Sequence, residues 1–247
     1  MLKKIFNILP EAAKKQLRLL RDFILYSGKN RRCPVCGKYS RKFKKAGIVS
    51  REDAQCAYCG ALERHRFVWL YFYKKTNLFN ETSKKMLHVA PEECFIPSLR
   101  KHLGQNYVTA DLLNGADVKM DITDIQYPDE YFDVIYCSHV LEHVQDDKKA
   151  MKEFYRVLKQ DGWAILLVPI TTDKTFEDPT IVNPSERLLV FGQDDHVRRY
   201  GLDYVDRLRE SGFKVKVSNV TEMFKKKDII TMGLTDTSGE IYYCTKT

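Results

Sequence analysis

No run of apolar residues in this 247-residue chain approaches the ~20 needed to cross a bilayer, which excludes a helical membrane protein. A secretory leader is not expected: after Lys3 and Lys4 the apolar stretch is only Ile5 to Leu9, interrupted by Asn7 and closed by Pro10. Low-complexity tracts are lacking. Hydrophobic residues at 44% against charged residues at 30% give enough apolar material for a core, so neither disorder nor a fibrous chain fits. Seven cysteines without any mark of secretion argue against a disulfide framework and for reduced thiols in a cytoplasmic protein. At this length one large or two unequal domains are expected.

The net charge of +8 is unevenly spread. Residues 1–75 hold 19 lysines and arginines against 5 acids, +14, whereas the remainder holds 22 against 28, −6. Such a basic segment fits a phosphate-rich partner, RNA or an anionic membrane surface, and fits equally a well-solvated lysine-rich face. From Pro10 to about Tyr26, Leu9, Ala13, Leu17, Leu20 and Ile24 recur at helical spacing, widened by Leu19 and Phe23. Lys14, Lys15, Arg18 and Arg21 occupy the opposite face. Residues 1–30 therefore read as a basic amphipathic helix, with Pro10 suited to its first position; it packs on its own protein or lies peripherally at the inner membrane face.

Cys33-Pro34-Val35-Cys36-Gly37 and Cys56-Ala57-Tyr58-Cys59-Gly60 form two Cys-x-x-Cys knuckles with 19 residues between Cys36 and Cys56. That spacing places four thiolates tetrahedrally around one Zn²⁺, and each trailing glycine allows the tight turn behind them. Four soft ligands leave no position for water, so a structural zinc held by Cys33, Cys36, Cys56 and Cys59 is expected, in place of the core so short a segment lacks. Residues 31–80 read as this ribbon plus a connecting helix rich in aromatics, Phe67, Trp69, Tyr71, Phe72 and Tyr73. Seven basic residues, from Arg31 to Lys45, stand around the anionic thiolate centre and partly balance it.

Beyond about Ser83, short β-rich runs alternate with helical stretches, the pattern of an α/β domain with a mostly parallel sheet. The expected strands are 86–90, 107–110, 118–120, 132–136, 163–168, 213–217 and 240–245. Ligands of such sheets bind at the carboxyl ends of the strands. The residues there are Pro91-Glu92, Asp111, Asp121, Ser138-His139 and Pro169-Ile170.

The order of several pieces then becomes specific: the acidic strand end Asp111, the run Met120-Asp121-Ile122-Thr123, and Tyr131-Phe132-Asp133-Val134-Ile135. After them come Ser138-His139-Val140-Leu141-Glu142-His143-Val144, Phe154-Tyr155-Arg156-Val157-Leu158-Lys159 and Gly162-Trp163-Ala164-Ile165-Leu166-Leu167-Val168-Pro169. In these features residues 84–217 resemble a class I S-adenosylmethionine-dependent methyltransferase of the type 11 group. Ala90-Pro91-Glu92, Leu62 to Arg66 and the two knuckles extend the likeness toward a subset with an N-terminal four-cysteine zinc ribbon. The resemblance implies a Rossmann-like sheet of seven strands over residues 84–247, with a substrate-covering insertion around 171–205. It implies adenosylmethionine contacts from Ala90, Pro91, Glu92, Asp111, Leu112, Asp121, Ile122 and Ser138. Asp111 would accept from the ribose hydroxyls, Asp121 and Ile122 would hold the adenine, and Glu92 would meet the methionine ammonium. One departure stands out: the first loop, glycine-rich in the family, is here His88-Val89-Ala90-Pro91-Glu92-Glu93-Cys94.

Methyl transfer from a sulfonium gains most from alignment, and a base helps where the acceptor is a hydroxyl or protonated nitrogen. His139 and His143, a turn apart, and His196 in Gln193-Asp194-Asp195-His196-Val197-Arg198-Arg199-Tyr200 are the candidate bases, with packing or capping as their other reading. Asp195, Arg198, Arg199 and Tyr200 are candidate acceptor contacts. His139-Val140-Leu141-Glu142-His143 also fits the spacing of an inverted zinc-peptidase helix, and a divalent metal at this acidic and histidine cluster is left open. The reading is a methyltransferase acting on a small-molecule or carbohydrate acceptor through oxygen or nitrogen. Ribosomal or transfer RNA as acceptor and a non-enzymatic zinc adaptor are the alternatives.

Overall fold

The computed structural model describes residues 10–47, 49–80, 83–113, 115–235 and 238–246, so Lys3, Lys4 and the stretch from Ile5 to Leu9 lie outside the described residues. Two compact units divide the chain. One takes Met1–Lys74 and Val220–Ser238, the other Lys75–Asn219 and Gly239–Thr247.

In the first unit, helix α1 (Glu11–Tyr26) begins one residue after Pro10, which keeps an extended backbone and caps the helix instead of entering it. Its buried Asp22 takes Arg21 at 2.6 Å and Lys44 at 3.0 Å. These cations hold the Asp22 carboxyl below its ordinary range against the opposing effect of burial. Two hairpins follow. Strands β1 (Arg31–Arg32) and β2 (Tyr39–Ser40) flank the first knuckle; β3 (Lys44–Ala46) and β4 (Arg51–Gln55) lead to the second. Helix α2 (Glu63–Lys75) buries Phe67, Val68, Trp69, Tyr71 and Phe72. Its Arg66 is fully buried, donating to the carbonyls of Ala54, Ala61 and Gly233 at 2.7–2.9 Å and stacking 4.1 Å over Phe43. One rigid planar fork thus satisfies three buried carbonyls that would otherwise lack partners. Residues 220–238, expected within the 84–247 stretch, cluster with this unit because Phe224 meets Phe67 edge-on and Gly233 meets Arg66.

The second unit is built on a seven-stranded sheet whose strands are β5 (Met86–Val89), β6 (Tyr107–Asp111), β7 (Val118–Lys119), β8 (Phe132–Ser138), β9 (Leu158–Leu167), β13 (Lys214–Ser218) and β14 (Ile241–Thr245). All seven runs expected from the sequence become strands. The spatial order is β13-β14-β9-β8-β5-β6-β7, parallel except for β14, which runs antiparallel to both neighbours. This is the Rossmann-like α/β architecture that the resemblance implied. Six of the seven residues of β8 are buried, as expected of a central strand covered on both faces. Between them, α3 (Ile96–Leu103) and α4 (Asp147–Val157) cross over; Asp146 caps α4 by accepting from the Lys149 amide, and Ala150, Met151, Phe154 and Val157 form its buried stripe. The chain order reverses at β5, whose two neighbours β6 and β8 lie on opposite sides of it, and this defines the switch point where ligands bind.

The expected insertion has structure of its own. Strands β10 (Ile170–Thr172), β11 (Phe176–Glu177) and β12 (Arg198–Gly201) form a small sheet in the order β10-β12-β11. Helix α5 (Pro184–Phe191) is capped by Asn183 and ended by Gly192 in the left-handed region, and α6 (Tyr204–Glu210) returns the chain to β13. Short helices α7 (Val220–Met223) and α8 (Lys226–Met232) complete the first unit. Among the described residues no helix is long and apolar enough to cross a membrane.

Candidate active site

At the carboxyl ends of β5, β6 and β8 lies a cavity of about 720 Å³. Two of its lining residues are non-glycine residues in the left-handed region: Ala90 (φ 47°) directly after β5 and His139 (φ 56°) directly after β8. Both are pinned by backbone bonds, Ala90 to the Ala110 carbonyl at 2.8 Å and His139 to that of Leu167 at 2.9 Å. Ala90 also precedes Pro91, a position pushed away from helical backbone. Such strain persists only where surrounding structure over-determines it, commonly at sites. Relieving it has a measurable sign. Left-handed backbone costs alanine about 1–2 kcal/mol, and glycine's extra freedom when unfolded returns about 0.5–1 kcal/mol of that. Ala90→Gly is expected to raise stability by about 0.5 kcal/mol and Ala90→Val to lower it by at least ~1 kcal/mol, read from denaturant midpoints.

The missing glycines are compensated beneath this loop. His88 is fully buried; its Nε2 donates to Glu92 at 2.6 Å and its Nδ1 meets the Tyr107 hydroxyl at 2.7 Å. Tyr136 donates to the other Glu92 oxygen at 3.0 Å. Burial pushes the Tyr107 phenol up from its ordinary value, so it stays a neutral donor. Glu92 is thereby fixed under the loop, and it is not among the residues lining the cavity.

Asp111, at the end of β6, and Asp121, after β7, face the same cavity. Each spends one oxygen on its own turn: Asp111 Oδ1 accepts from the Leu113 amide at 2.8 Å, Asp121 Oδ1 from the amide and hydroxyl of Thr123, both at 2.8 Å. Carboxylates in such turns are held rigidly and keep a second oxygen for a ligand. Around them Val89, Ala90, Leu112, Leu113, Met120, Ile122 and Val140 give the cavity a mostly apolar lining. Leu112 and Leu113 stay largely exposed there.

Of the residues singled out from the sequence, Ala90, Asp111, Leu112, Asp121, Ile122, His139, His143 and Asp195 line this cavity. Pro91, Glu92 and Ser138 do not; Ser138 is buried beneath it with a hydroxyl that has no hydrogen-bond partner among the described residues. His196 lies behind His143, the rings edge to face at 4.6 Å. Burial and the neighbouring His143 pull the His196 imidazole below its usual value, keeping it neutral at neutral pH.

The geometry of residues 198–200 differs from the acceptor-gripping role expected of them. Arg198 is 2% exposed; it donates to the carbonyls of Leu141 at 2.7 Å and Gln145 at 2.8 Å, to that of Val144, and to Glu177 at 2.9 Å. Tyr200 is wholly buried and donates to Asp147 at 2.6 Å, and Arg199 turns to Thr171. Arg207 joins Asp147 at 2.7 Å and pairs with Glu177. These groups clamp the 141–147 turn onto the insertion, the guanidinium donors matching a cluster of turn carbonyls. The turn itself, Leu141–His143, is 3₁₀ and not an α-helix, so the peptidase-like spacing of His139 and His143 does not produce a helical face. Sequence reasoning did not single out Val89, Leu113, Met120, Thr123, Val140, Val144, Gln145 and Asp146 as site residues on the cavity wall; the signal that could have found them is their place at or after the ends of β5, β6, β7 and β8.

Among the four knuckle cysteines, Cys33 and Cys59 Sγ stand 3.7 Å apart and Cys36 and Cys56 Sγ 3.8 Å. A zinc tetrahedron with bonds of about 2.3 Å has edges of about 3.8 Å, so the donor set fits that ion. All four sulfurs lie within 4.8 Å of one another.

Comparison with known proteins locates this chemistry. Residues 74–166 match the family described as "Methyltransferase domain". The uncharacterized methyltransferase YcgJ of Bacillus subtilis is 35% identical over 78 residues, 32% of this chain and 29% of that protein. Phosphoethanolamine N-methyltransferase 3 of Arabidopsis thaliana is 32% identical over 108 residues, 43% of this chain and 20% of that one. This chain thus spans less than a third of the length of these relatives. Among solved structures, an S-adenosylmethionine dependent methyltransferase from Mesorhizobium loti superposes with a TM-score of 0.48 at 13% identity, covering 71% of this chain and 96% of that one. Nearly all of the matched stretch, residues 75–166, lies in the second unit.

Proposed function

We propose that this protein transfers the methyl group of S-adenosylmethionine to an oxygen or nitrogen of a small molecule or carbohydrate precursor. The single observation that carries the reading is that Asp111 and Asp121, from different strand ends, line one cavity at the switch point. Its volume, about 720 Å³, falls within the roughly 300–1,000 Å³ usual for small-molecule sites. The residues present fit the cofactor: Asp111 would accept from vicinal ribose hydroxyls with the oxygen its turn does not use, while Asp121, Ile122 and Leu112 would hold the adenine. When bound, S-adenosylmethionine supplies an electrophilic methyl carbon. The chain's own part is to align the acceptor and take its proton, for which His139 stands on the cavity wall, about one-third exposed. Relatives named for phosphoethanolamine and for an alkaloid support a small acceptor.

We further read Cys33, Cys36, Cys56 and Cys59 as the ligands of a structural zinc, supported by the sulfur spacing. Titration calorimetry with adenosylmethionine and adenosylhomocysteine tests the main reading, and absence of binding by both overturns it. A peripheral membrane contact is favoured by one observation: Leu17, Leu20, Phe23, Ile24 and Leu25 of α1 are all exposed on a segment whose +14 charge complements an anionic bilayer. Cosedimentation with phosphatidylglycerol vesicles, weakened by Phe23→Ser with Ile24→Ser and by high salt, is the expected result. Equal sedimentation with neutral vesicles, or none, counts against it.

A further inference from the structure

The geometry points to a second metal site, separate from the cysteines, in which Glu142, His143 and His196 bind a divalent transition-metal ion at the wall of the cavity. A carboxylate oxygen of Glu142 and one ring nitrogen from each histidine lie within 4.8 Å of one another. Two of these residues are almost wholly buried, Glu142 at 2% and His196 at 6% exposure. Glu142 Oε2 and His196 Nε2 have no hydrogen-bond partner among the described residues. Buried polar atoms are rarely left so, and both of these belong to residues of the one cluster.

Two of these groups have further carboxylate or imidazole neighbours. His143 Nδ1 is 3.1 Å from Asp195 Oδ2 and His139 Nδ1 is 3.3 Å from Glu142 Oε1. Metal-binding histidines characteristically donate their second nitrogen to a carboxylate or carbonyl, which fixes the ring and leaves the opposite nitrogen facing the ion. The main chain adds rigidity: the Val197 amide donates to the Glu142 carbonyl at 2.9 Å, tying the His196 segment to the turn that carries the other two ligands.

Two imidazoles and one carboxylate form a borderline N₂O set, which suits zinc, iron, cobalt or manganese better than magnesium or calcium. Three protein ligands leave a position open for an exchangeable group, and His143 borders the cavity. The set differs from the one that spacing alone offered, since His139 supports Glu142 and His196 arrives from the insertion. This inference concerns binding of the ion and does not rest on methyl transfer.

The test uses the full chain with zinc already in its cysteine site, equilibrated with Co²⁺ and followed by native mass spectrometry and visible absorption. One additional equivalent of cobalt is expected, with ligand-field bands but without the intense sulfur-to-cobalt charge transfer of a thiolate site. His196→Ala and Glu142→Gln are each expected to weaken it at least tenfold. Glu142→Gln keeps the side chain's size and decides the matter should His196→Ala fold poorly, as judged by its circular dichroism. Metal bound only at the cysteines, or a second equivalent that both substitutions leave unchanged, overturns the proposal; two buried atoms bridged by water give the first of these outcomes.

Discussion

Removing the ion from the four-cysteine site is expected to unfold the knuckles of the first unit. Apparent binding energies of structural zinc run to about 10–16 kcal/mol in small peptides, more than the few kcal/mol a segment of this size gains from its own core. The strands around the knuckles are two to five residues long, and both knuckles close through single turns, Gly37 to the Cys33 carbonyl at 2.8 Å and Gly60 to that of Cys56 at 3.0 Å. Without an ion, four sulfurs crowded at 3.7–3.8 Å lose the charge that holds them together. A strong chelator should expose all four thiols to alkylation and open residues 31–62 to protease, and added Zn²⁺ should reverse both. Cys59→Ser should reproduce the effect without chelator. Thiols that stay protected in the metal-free chain would contradict the assignment.

Asp111→Ala is expected to weaken adenosylmethionine by roughly a hundredfold or more. Each hydrogen bond from a hydroxyl to a carboxylate contributes about 1.5–3 kcal/mol, and two are lost together, against 1.4 kcal/mol per decade of affinity. The substitution also removes the brace on the Leu113 amide, so Asp111→Asn is the sharper variant: its amide oxygen keeps that bond while the charge is lost. Asn should fall between the native residue and Ala. Asp121→Ala should weaken binding too, partly through release of Thr123. Calorimetry reads all three, and an affinity indifferent to Asp111→Ala would remove the main support for the enzymatic reading.

The two candidate ligand clusters contrast in how far they were legible. Four cysteines declare themselves by spacing, because each pair is local and its turn is dictated by the trailing glycine. Glu142 and His143 were visible as part of a strand-end cluster, but their pairing with His196 depends on the insertion folding back, held by Arg198 on the carbonyls of Leu141, Val144 and Gln145. The same contrast explains residues 198–200. Polar density on a predicted loop resembles a substrate surface, and nothing local reveals that the turn carbonyls consume its donors. Residues 220–238 were likewise unreadable as part of the first unit, since Phe224 and Gly233 show no local sign of their partners Phe67 and Arg66.

By itself the sequence determined the seven strands, the four clustered cysteines and the two acidic strand ends, because hydrophobic runs, knuckle spacing and a carboxylate after a strand are all local codes. Only the tertiary structure decided that Asp111 and Asp121 share one cavity, that Ala90 and His139 take left-handed backbone where glycine is missing, and that His196 stands against His143. Those facts depend on chain segments far apart in sequence meeting at the switch point, and which buried donor finds which acceptor is settled only when the layers close.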